Sequence, residues 1–212
     1  MLSSISFTDQ ELVQIENKIK CATFSSNSWS DDDIENIKKR IKSFYLKEQK
    51  NTCPYCKQVF NSNNGRYWDI EHVIPRSSEK NFMFEPLNLC MSCVDCNISK
   101  SNNKITSSKA KNRYPKKSSS YYIVHPHFDT YEDNILVIKA GFYYVALKAK
   151  GEKTIEICKL NRFYEFSQFG SSVQNDDRIF LLSEQLNRTK DEAQKRMIRK
   201  EIAELAIKGA VE

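Results

Sequence analysis

The sequence is poor in the residues that mark fibrous, low-complexity and membrane proteins. It contains only 5 Gly and 5 Pro among 212 residues, which excludes a collagen-like repeat and a Gly/Pro-rich disordered chain. No stretch approaches the roughly 20 apolar residues that a membrane-spanning helix needs. The segment Met1–Gln10 lacks the basic start and apolar run of a secretory signal. We therefore expect a cytoplasmic protein that does not contact a membrane.

Histidine is also scarce, with 3 residues, whereas there are 7 cysteines. In a reducing compartment, Cys-x-x-Cys spacing favours a metal site over disulfides. We expect a structural Zn²⁺ bound by the cysteines of two such pairs, namely Cys53, Cys56, Cys93 and Cys96. A redox role for one pair is the rival interpretation, and Cys90, three residues before Cys93, could compete as a ligand. The cysteines outside the pairs are expected to be buried thiols: Cys21, Cys90 and Cys158.

The net charge of +6 is concentrated in one segment. Residues 97–120 contain seven basic residues and no acidic one, so the rest of the chain is close to neutral. Such a run is either a solvated loop or a strip that binds phosphates. Its position directly after the second cysteine pair favours the phosphate-binding strip.

The hydrophobic pattern predicts helices at both ends of the chain and short strands between them. Thr8 and Glu11 form a capping box for a helix over about 9–20, and Ser30 is a candidate cap for a second one. Strands are predicted at Arg66–Val73 and Leu87–Met91, followed by a helix from Cys96 to about Ser107. A hairpin is predicted at Ile135–Ile138 and Phe142–Leu147, with Thr154–Cys158 as a third strand and further helices beyond it.

Between the cysteine pairs lie three short motifs that carry chemistry. They are Asp69-Ile-Glu-His-Val-Ile-Pro-Arg76, Glu85-Pro-Leu-Asn-Leu-Cys90 and Cys96-Asn-Ile-Ser-Lys100. Their order and spacing resemble the HNH, or ββα-metal, endonuclease signature over about residues 53–103. This resemblance implies an α+β fold with a ββα-metal core stabilised by the four-cysteine zinc site. N-terminal helices, a small C-terminal antiparallel sheet and C-terminal helices would surround the core.

The resemblance also implies roles for individual residues. His72 would be the general base, and Glu71 and Asn97 would hold a catalytic Mg²⁺ or Mn²⁺. Asn88 would tie the loop between the strands, and Asp69 would support the metal from the same strand face as Glu71. The substrate-binding candidates, which would contact phosphates, are Arg76, Lys100 and Lys104.

This sequence departs from the commonest HNH pattern at two metal-binding positions. Glu71 stands where Asp is usual, and Asn97 stands where the last His is usual. An amide oxygen is a weak ligand for softer ions, so the metal preference should narrow toward Mg²⁺. Two alternatives stay open: a zinc-knuckle module that binds nucleic acid without cutting it, or a subunit whose main task is assembly. For His72 alone, the alternative is a purely structural histidine.

We predict three regions: an N-terminal helical segment over residues 1–50, a nuclease core over 51–118, and strands followed by helices over 119–212. The layout resembles, more loosely, the HNH subunits of Septu-type antiphage systems, which work beside an ABC-type ATPase. That resemblance implies an ATPase partner in addition to nucleic acid, expected to be double-stranded DNA. His125-Pro-His127 could be a second metal site or a substrate contact, although the proline between the rings favours a structural role.

Overall fold

The computed structural model describes residues 1–62, 65–163 and 177–211. The chain divides into two compact units, Met1–Thr130 and Tyr131–Glu212. Both units mix helices with a small antiparallel sheet, which confirms the predicted α+β class. No helix among the described residues combines the length and the apolar character needed to cross a bilayer.

The first unit begins with two helices, α1 (Asp9–Lys20) and α2 (Glu35–Glu48). The predicted capping box of α1 is present, because Thr8 and Glu11 each bond the backbone of the other. The predicted cap of α2 is wrong. Ser30 instead ends a 3₁₀ turn at Ser26–Ser30, and a second turn at Asp32–Ile34 leads into the helix. One face of α2 and the residue before it are buried, through Ile34, Ile37, Ile41 and Tyr45.

The centre of this unit is a ββα arrangement. Strands β1 (Trp68–His72) and β2 (Leu89–Cys93) pair antiparallel, with Glu71 opposite Cys90 and His72 opposite Leu89. Helix α3 (Val94–Lys100) follows β2 without a loop. It is shorter than the predicted 96–107 helix because the next residue, Ser101, has a φ of 44° and breaks the helical path. The segment beyond α3 is irregular, apart from a single bridge between Thr106 and Tyr121 and a 3₁₀ turn at Ser118–Ser120.

The second unit contains the predicted hairpin, β3 (Ile135–Lys139) and β4 (Tyr143–Ala146). Gly141 has a φ of 78° in the connecting turn, which a glycine adopts without strain. Among the residues that the structure describes, three helices follow: α4 (Ala149–Ile157), α5 (Asp177–Arg188) and α6 (Glu192–Val211). The buried core of this unit joins the hairpin to the last two helices through Leu136, Tyr143, Val145, Leu182, Ile198 and Leu205.

The predicted third strand at Thr154–Cys158 is wrong, because this segment belongs to α4. Gly151, Thr154 and Ile157 are buried at intervals of three residues, which is helical spacing. A Cβ at Gly151 would lie 1.8 Å from the carbonyl oxygen of Asn134, so only glycine lets the helix come this close. The β-branched residues Thr154, Ile155 and Ile157 suggested a strand, and tertiary packing overrides that propensity.

Candidate active site

Four cysteine sulfurs meet at the junction of β2 and α3. Cys53 and Cys56 lie in the turn after α2, Cys93 ends β2, and Cys96 is in the first turn of α3. Their Sγ atoms all lie within 4.8 Å of one another, and those of Cys56 and Cys93 are 3.7 Å apart. A tetrahedral zinc ion with Zn–S bonds of about 2.3 Å requires sulfurs about 3.8 Å apart. The four thiols therefore fit a structural zinc ion.

The surroundings of this cluster also suit a metal. The backbone N–H of Cys93 points to Cys53 Sγ at 3.5 Å, a contact that stabilises a thiolate. Hydrogen bonding to the Cys53 sulfur raises the pKa of the Cys56 and Cys96 thiols, so a cation is needed to hold all four as thiolates. Cys90 is not part of the cluster, because residues three apart on a strand point to opposite faces. Of the three cysteines expected to be buried, Cys90 and Cys158 are buried and Cys21 is exposed.

Beside the cysteine cluster, a cleft of about 450 Å³ opens between the end of β1 and α3. It is lined by five of the candidate site residues, Glu71, His72, Arg76, Asn97 and Lys100. Asp69 does not line it but bonds to Asn97, which does. Asn88 bonds to Ile74 in the loop after β1, and Lys104 lines a neighbouring cleft. The cleft thus brings a histidine, a carboxylate and an amide together at one surface.

His72 is held in one orientation by the loop between the strands. Its Nε2 lies 3.0 Å from the carbonyl oxygen of Met83. Because a carbonyl can only accept, Nε2 carries the proton and the neutral ring has its lone pair on Nδ1. Burial, together with the nearby charge of Arg76, lowers the pKa of His72 to about 3, so the ring is neutral at physiological pH. A neutral histidine with a fixed tautomer has the protonation state that a general base requires, although its low pKa makes the ring a weaker proton acceptor than a free imidazole.

Glu71 is almost completely buried, with 3% of its surface exposed. Its Oε1 accepts hydrogen bonds from Tyr55 Oη at 3.1 Å and from Lys100 Nζ at 2.8 Å. Burial raises the pKa of Glu71, while the Lys100 charge and these hydrogen bonds oppose that shift. Both hydrogen bonds are made to Oε1, so they orient the carboxylate. The other oxygen, Oε2, takes no part in these two contacts.

Lys100 is 1% exposed and is bound on two sides. In addition to Glu71, its Nζ donates to the backbone oxygen of His72 at 3.1 Å. The side chain therefore ties the last turn of α3 to the end of β1. The sequence predicted that the Lys100 ammonium group contacts a phosphate. In the structure this group is buried and bonds to Glu71 and His72.

We expect Lys100→Ala to lower the free energy of unfolding by about 3–5 kcal/mol, because it leaves the Glu71 carboxylate buried without its counter-ion. Urea denaturation measures the change. Lys104→Ala is the matched control: its side chain is exposed, so a change within about 0.5 kcal/mol is expected. Equal stabilities of the two variants would contradict the structural role of Lys100.

Asn97 is oriented by Asp69 from the neighbouring strand. Its Nδ2 donates to Asp69 Oδ2 at 2.8 Å, which fixes the amide because a carboxylate can only accept. The amide oxygen Oδ1 of Asn97 is left on the opposite side of the amide group. Asp69 therefore does not line the cleft, but it orients the amide of Asn97, which does.

Asn88 is fully buried, and its side chain holds the loop that follows His72 at the end of β1. Its Oδ1 accepts from the backbone N–H of Ile74 at 2.6 Å and from Tyr114 Oη at 3.1 Å. Its Nδ2 donates to the carbonyl oxygens of Ile74 and Phe82 at 3.2 and 2.9 Å. Since Phe82 immediately precedes Met83, this side chain also helps to place the carbonyl that orients His72.

The His125-Pro-His127 motif supports the same loop through Tyr114, which bonds Asn88. His125 Nε2 is 2.9 Å from Tyr114 Oη, the hydroxyl that bonds Asn88. The ring nitrogens of His127 face the carbonyl oxygens of Leu2 and Leu89 at 3.1 and 2.8 Å. Neither histidine belongs to the cysteine cluster, which is the only group of three or more His, Cys, Asp or Glu residues close enough to hold a metal within the described ranges.

Three residues of the site were not predicted from the sequence: Trp29, Tyr55 and Tyr114. The Trp29 ring packs nearly perpendicular to the His72 ring, with ring centroids 4.5 Å apart. Arg76 lies over the same Trp29 ring and donates to the carbonyl oxygen of Ser26 at 2.7 Å. Only Tyr55 had a local signal, since it lies inside the first Cys-x-x-Cys pair. Trp29 and Tyr114 are far from the motif in sequence.

Comparison with known families agrees with this geometry. Residues 53–103 match the family model described as HNH endonuclease, a range that contains the four cysteines and both strands. Neither the curated proteins nor the solved structures contain a match to the chain. Residues 53–103 thus match an HNH endonuclease domain, and in this structure they contain β1, β2, α3 and a four-cysteine cluster that could hold zinc.

Proposed function

We propose that this protein is a metal-dependent endonuclease that hydrolyses the phosphodiester bonds of DNA. The observation that carries the proposal is the arrangement of His72, whose tautomer is fixed by Met83, in one cleft with Glu71 and Asn97. Hydrolysis of a phosphodiester requires a base for the attacking water and positive charge at the phosphate. The residues of this cleft match both requirements.

In this proposal His72 is the general base. Its Nδ1 lone pair takes the proton of the attacking water, because Nε2 is already engaged with Met83. Such a base contributes about 10²–10⁴-fold to the rate. The Met83 carbonyl and Trp29 keep the ring in place, so the lone pair keeps one direction throughout the reaction.

Glu71 and Asn97 are the proposed ligands of a catalytic Mg²⁺ or Mn²⁺. The donor set fits: both residues line the cleft and offer side-chain oxygens, which these ions prefer. When bound, such an ion neutralises charge on the phosphate and stabilises the leaving oxygen. Glu71 would use Oε2, since Lys100 and Tyr55 bond to Oε1. Asp69 would accept from Asn97 Nδ2, so that Asn97 Oδ1 faces away from Asp69.

Arg76 and Lys104 are the proposed phosphate contacts, Arg76 in this cleft and Lys104 in the neighbouring one. Arg76 lines the cleft beside His72, and Lys104 begins the basic part of the loop after α3. Lys100, in contrast, is proposed to position Glu71 and the end of β1 rather than to bind the substrate. Contacts of this kind recognise the backbone and not the base sequence, so we expect little sequence specificity from them.

Cleavage of supercoiled plasmid tests the proposal. The wild type is incubated with Mg²⁺, with Mn²⁺ and with EDTA, beside a His72→Ala preparation purified identically to control for contaminating nuclease. Nicking or linearisation is expected with either ion and is expected to stop with EDTA. Restored cutting on addition of excess Mg²⁺ would show that EDTA acted on the exchangeable ion. Intact plasmid under every condition, from a folded protein that contains zinc, would contradict an autonomous nuclease.

The proposed biological setting is antiphage defence beside an ABC-type ATPase. It is supported by the resemblance of three segments to Septu-type HNH subunits, namely residues 125–129, 151–155 and 158–162. On α5, Phe180 is 70% exposed and would offer a partner an apolar contact. Gel filtration with an ATPase encoded beside this protein tests the setting. Co-elution that Phe180→Asp abolishes would support it, and separate elution of the wild-type proteins would contradict it.

A further inference from the structure

The loop after α3 encloses a second cleft of about 370 Å³ that does not include the proposed catalytic residues. Its apolar walls are formed by Ile74, Pro75, Phe82, Ile105 and Pro115. Pro75 lines both clefts, so the second cleft adjoins the active site directly. Ser77 Oγ donates to Asn102 Oδ1 at 2.9 Å and joins the two loops that separate the clefts.

The rim of this cleft is strongly basic. Lys104, Lys109 and Lys111 line it, and Glu79 is the only acidic residue among the lining residues. None of these three lysines forms an ion pair with any residue that the structure describes. Glu79 is partly engaged, because its Oε1 accepts from the backbone N–H of Asn81 at 3.2 Å. An apolar floor surrounded by unpaired cations matches a ligand that is flat and apolar in one part and anionic in another.

We propose that this second cleft binds one unstacked nucleobase of the DNA strand that enters the active site. The base would contact the apolar walls, and the three lysines would contact the flanking phosphates. The inference rests on the proposed function, since it assigns the substrate of that site a second contact. The volume lies near the lower end of ligand pockets, about 300–1,000 Å³, which suits a single base rather than a base pair.

Two polar side chains of the cleft already have hydrogen-bond partners, which reduces their capacity to read the identity of the base. Thr106 Oγ1 already donates to the carbonyl oxygen of Ser120 at 2.6 Å and accepts from the N–H of Ser108 at 3.1 Å. Asn103 Nδ2 already donates to the carbonyl oxygen of Lys100 at 2.8 Å. Stacking and apolar contact are therefore the dominant interactions, and these tolerate any base.

Binding without cleavage tests this inference. Fluorescence anisotropy is measured for His72→Ala without added Mg²⁺, using two labelled 12-nucleotide strands, oligothymidine and a fully abasic strand of equal charge. We expect the strand with bases to bind about tenfold more tightly, the effect of one well-stacked base. Equal affinities, or no binding of either strand, would overturn the inference.

A pair of tryptophan substitutions locates the bound base. Ala110 lines the cleft, whereas Asn112 is exposed two residues away and does not line it. Ala110→Trp should fill the cleft and remove the tenfold difference, while abasic binding stays unchanged. Asn112→Trp should retain the difference. If Ala110→Trp also retains it, the base binds elsewhere and the inference is wrong.

Lysine substitution tests the phosphate part separately. Lys109→Ala is expected to weaken binding of both strands equally and to reduce the dependence of affinity on salt. A loss confined to the strand with bases would contradict the assignment of Lys109 to phosphate. Failure of plasmid cleavage would leave these binding results intact, so the inference and the proposed function fail in distinguishable ways.

Discussion

A His72→Ala variant is expected to cleave supercoiled plasmid about 10²–10⁴ times more slowly than the wild type. The reason is the position of the ring: Nε2 is engaged by Met83, and the cleft contains no other histidine. Initial rates of nicking at saturating Mg²⁺ measure the loss. DNA binding without metal should be retained, because the substitution leaves Arg76 and the lysines in place.

Rescue by a small molecule distinguishes a lost base from a distorted site. Removal of the imidazole leaves a space beside Trp29 at the edge of the cleft, and added imidazole can enter it. We expect imidazole to restore part of the activity of His72→Ala, while it leaves the wild-type rate unchanged. A variant that cuts at the wild-type rate would show that His72 is a structural residue only.

Loss of one cysteine of the proposed zinc site is expected to unfold the first unit. Structural zinc sites contribute apparent binding free energies of about 10–16 kcal/mol in small zinc domains, which equals or exceeds the stability of a typical protein of about 5–15 kcal/mol. Cys96→Ser removes a ligand from the first turn of α3 and should lower both the zinc content and the melting temperature. Atomic absorption and circular dichroism measure the two quantities.

The control for this experiment is Cys21→Ser. Cys21 is exposed and lies outside the cluster, so zinc content and melting temperature should equal those of the wild type. The hairpin and helices of the second unit have their own buried core, and part of the helical signal should therefore remain in Cys96→Ser. A Cys96→Ser protein that lacks zinc but melts with the wild type would refute a structural role for the metal.

The sequence predicted the features that depend on local spacing. The capping box at Thr8 and Glu11 and the hairpin of the second unit are present where periodicity and turn chemistry placed them. The four cysteines converge as their two pairs indicated. In each case the signal lies within a few residues, or in a motif whose spacing reflects a single metal ion.

Features that depend on distant contacts could not be predicted in this way. Trp29 packs on His72 across 43 residues of sequence, and no pattern near either residue indicates the contact. Lys100 was predicted to contact a phosphate, yet its ammonium group is buried against the Glu71 carboxylate, which lies 29 residues away in sequence. The strand predicted at Thr154–Cys158 is a helix because Gly151 allows α4 to approach Asn134 closely.

The way α3 is held has a consequence for the energetics of the site. A helix of seven residues is too short to persist by itself in water. Here Cys96 anchors its beginning to the cysteine cluster, and Lys100 anchors its end to β1. Asn97 lies between these two anchors, so its distance from His72 is determined when the chain folds. Substrate binding then requires little reorganisation, and the entropy of arranging the proposed ligands and base is lost during folding rather than in each catalytic cycle.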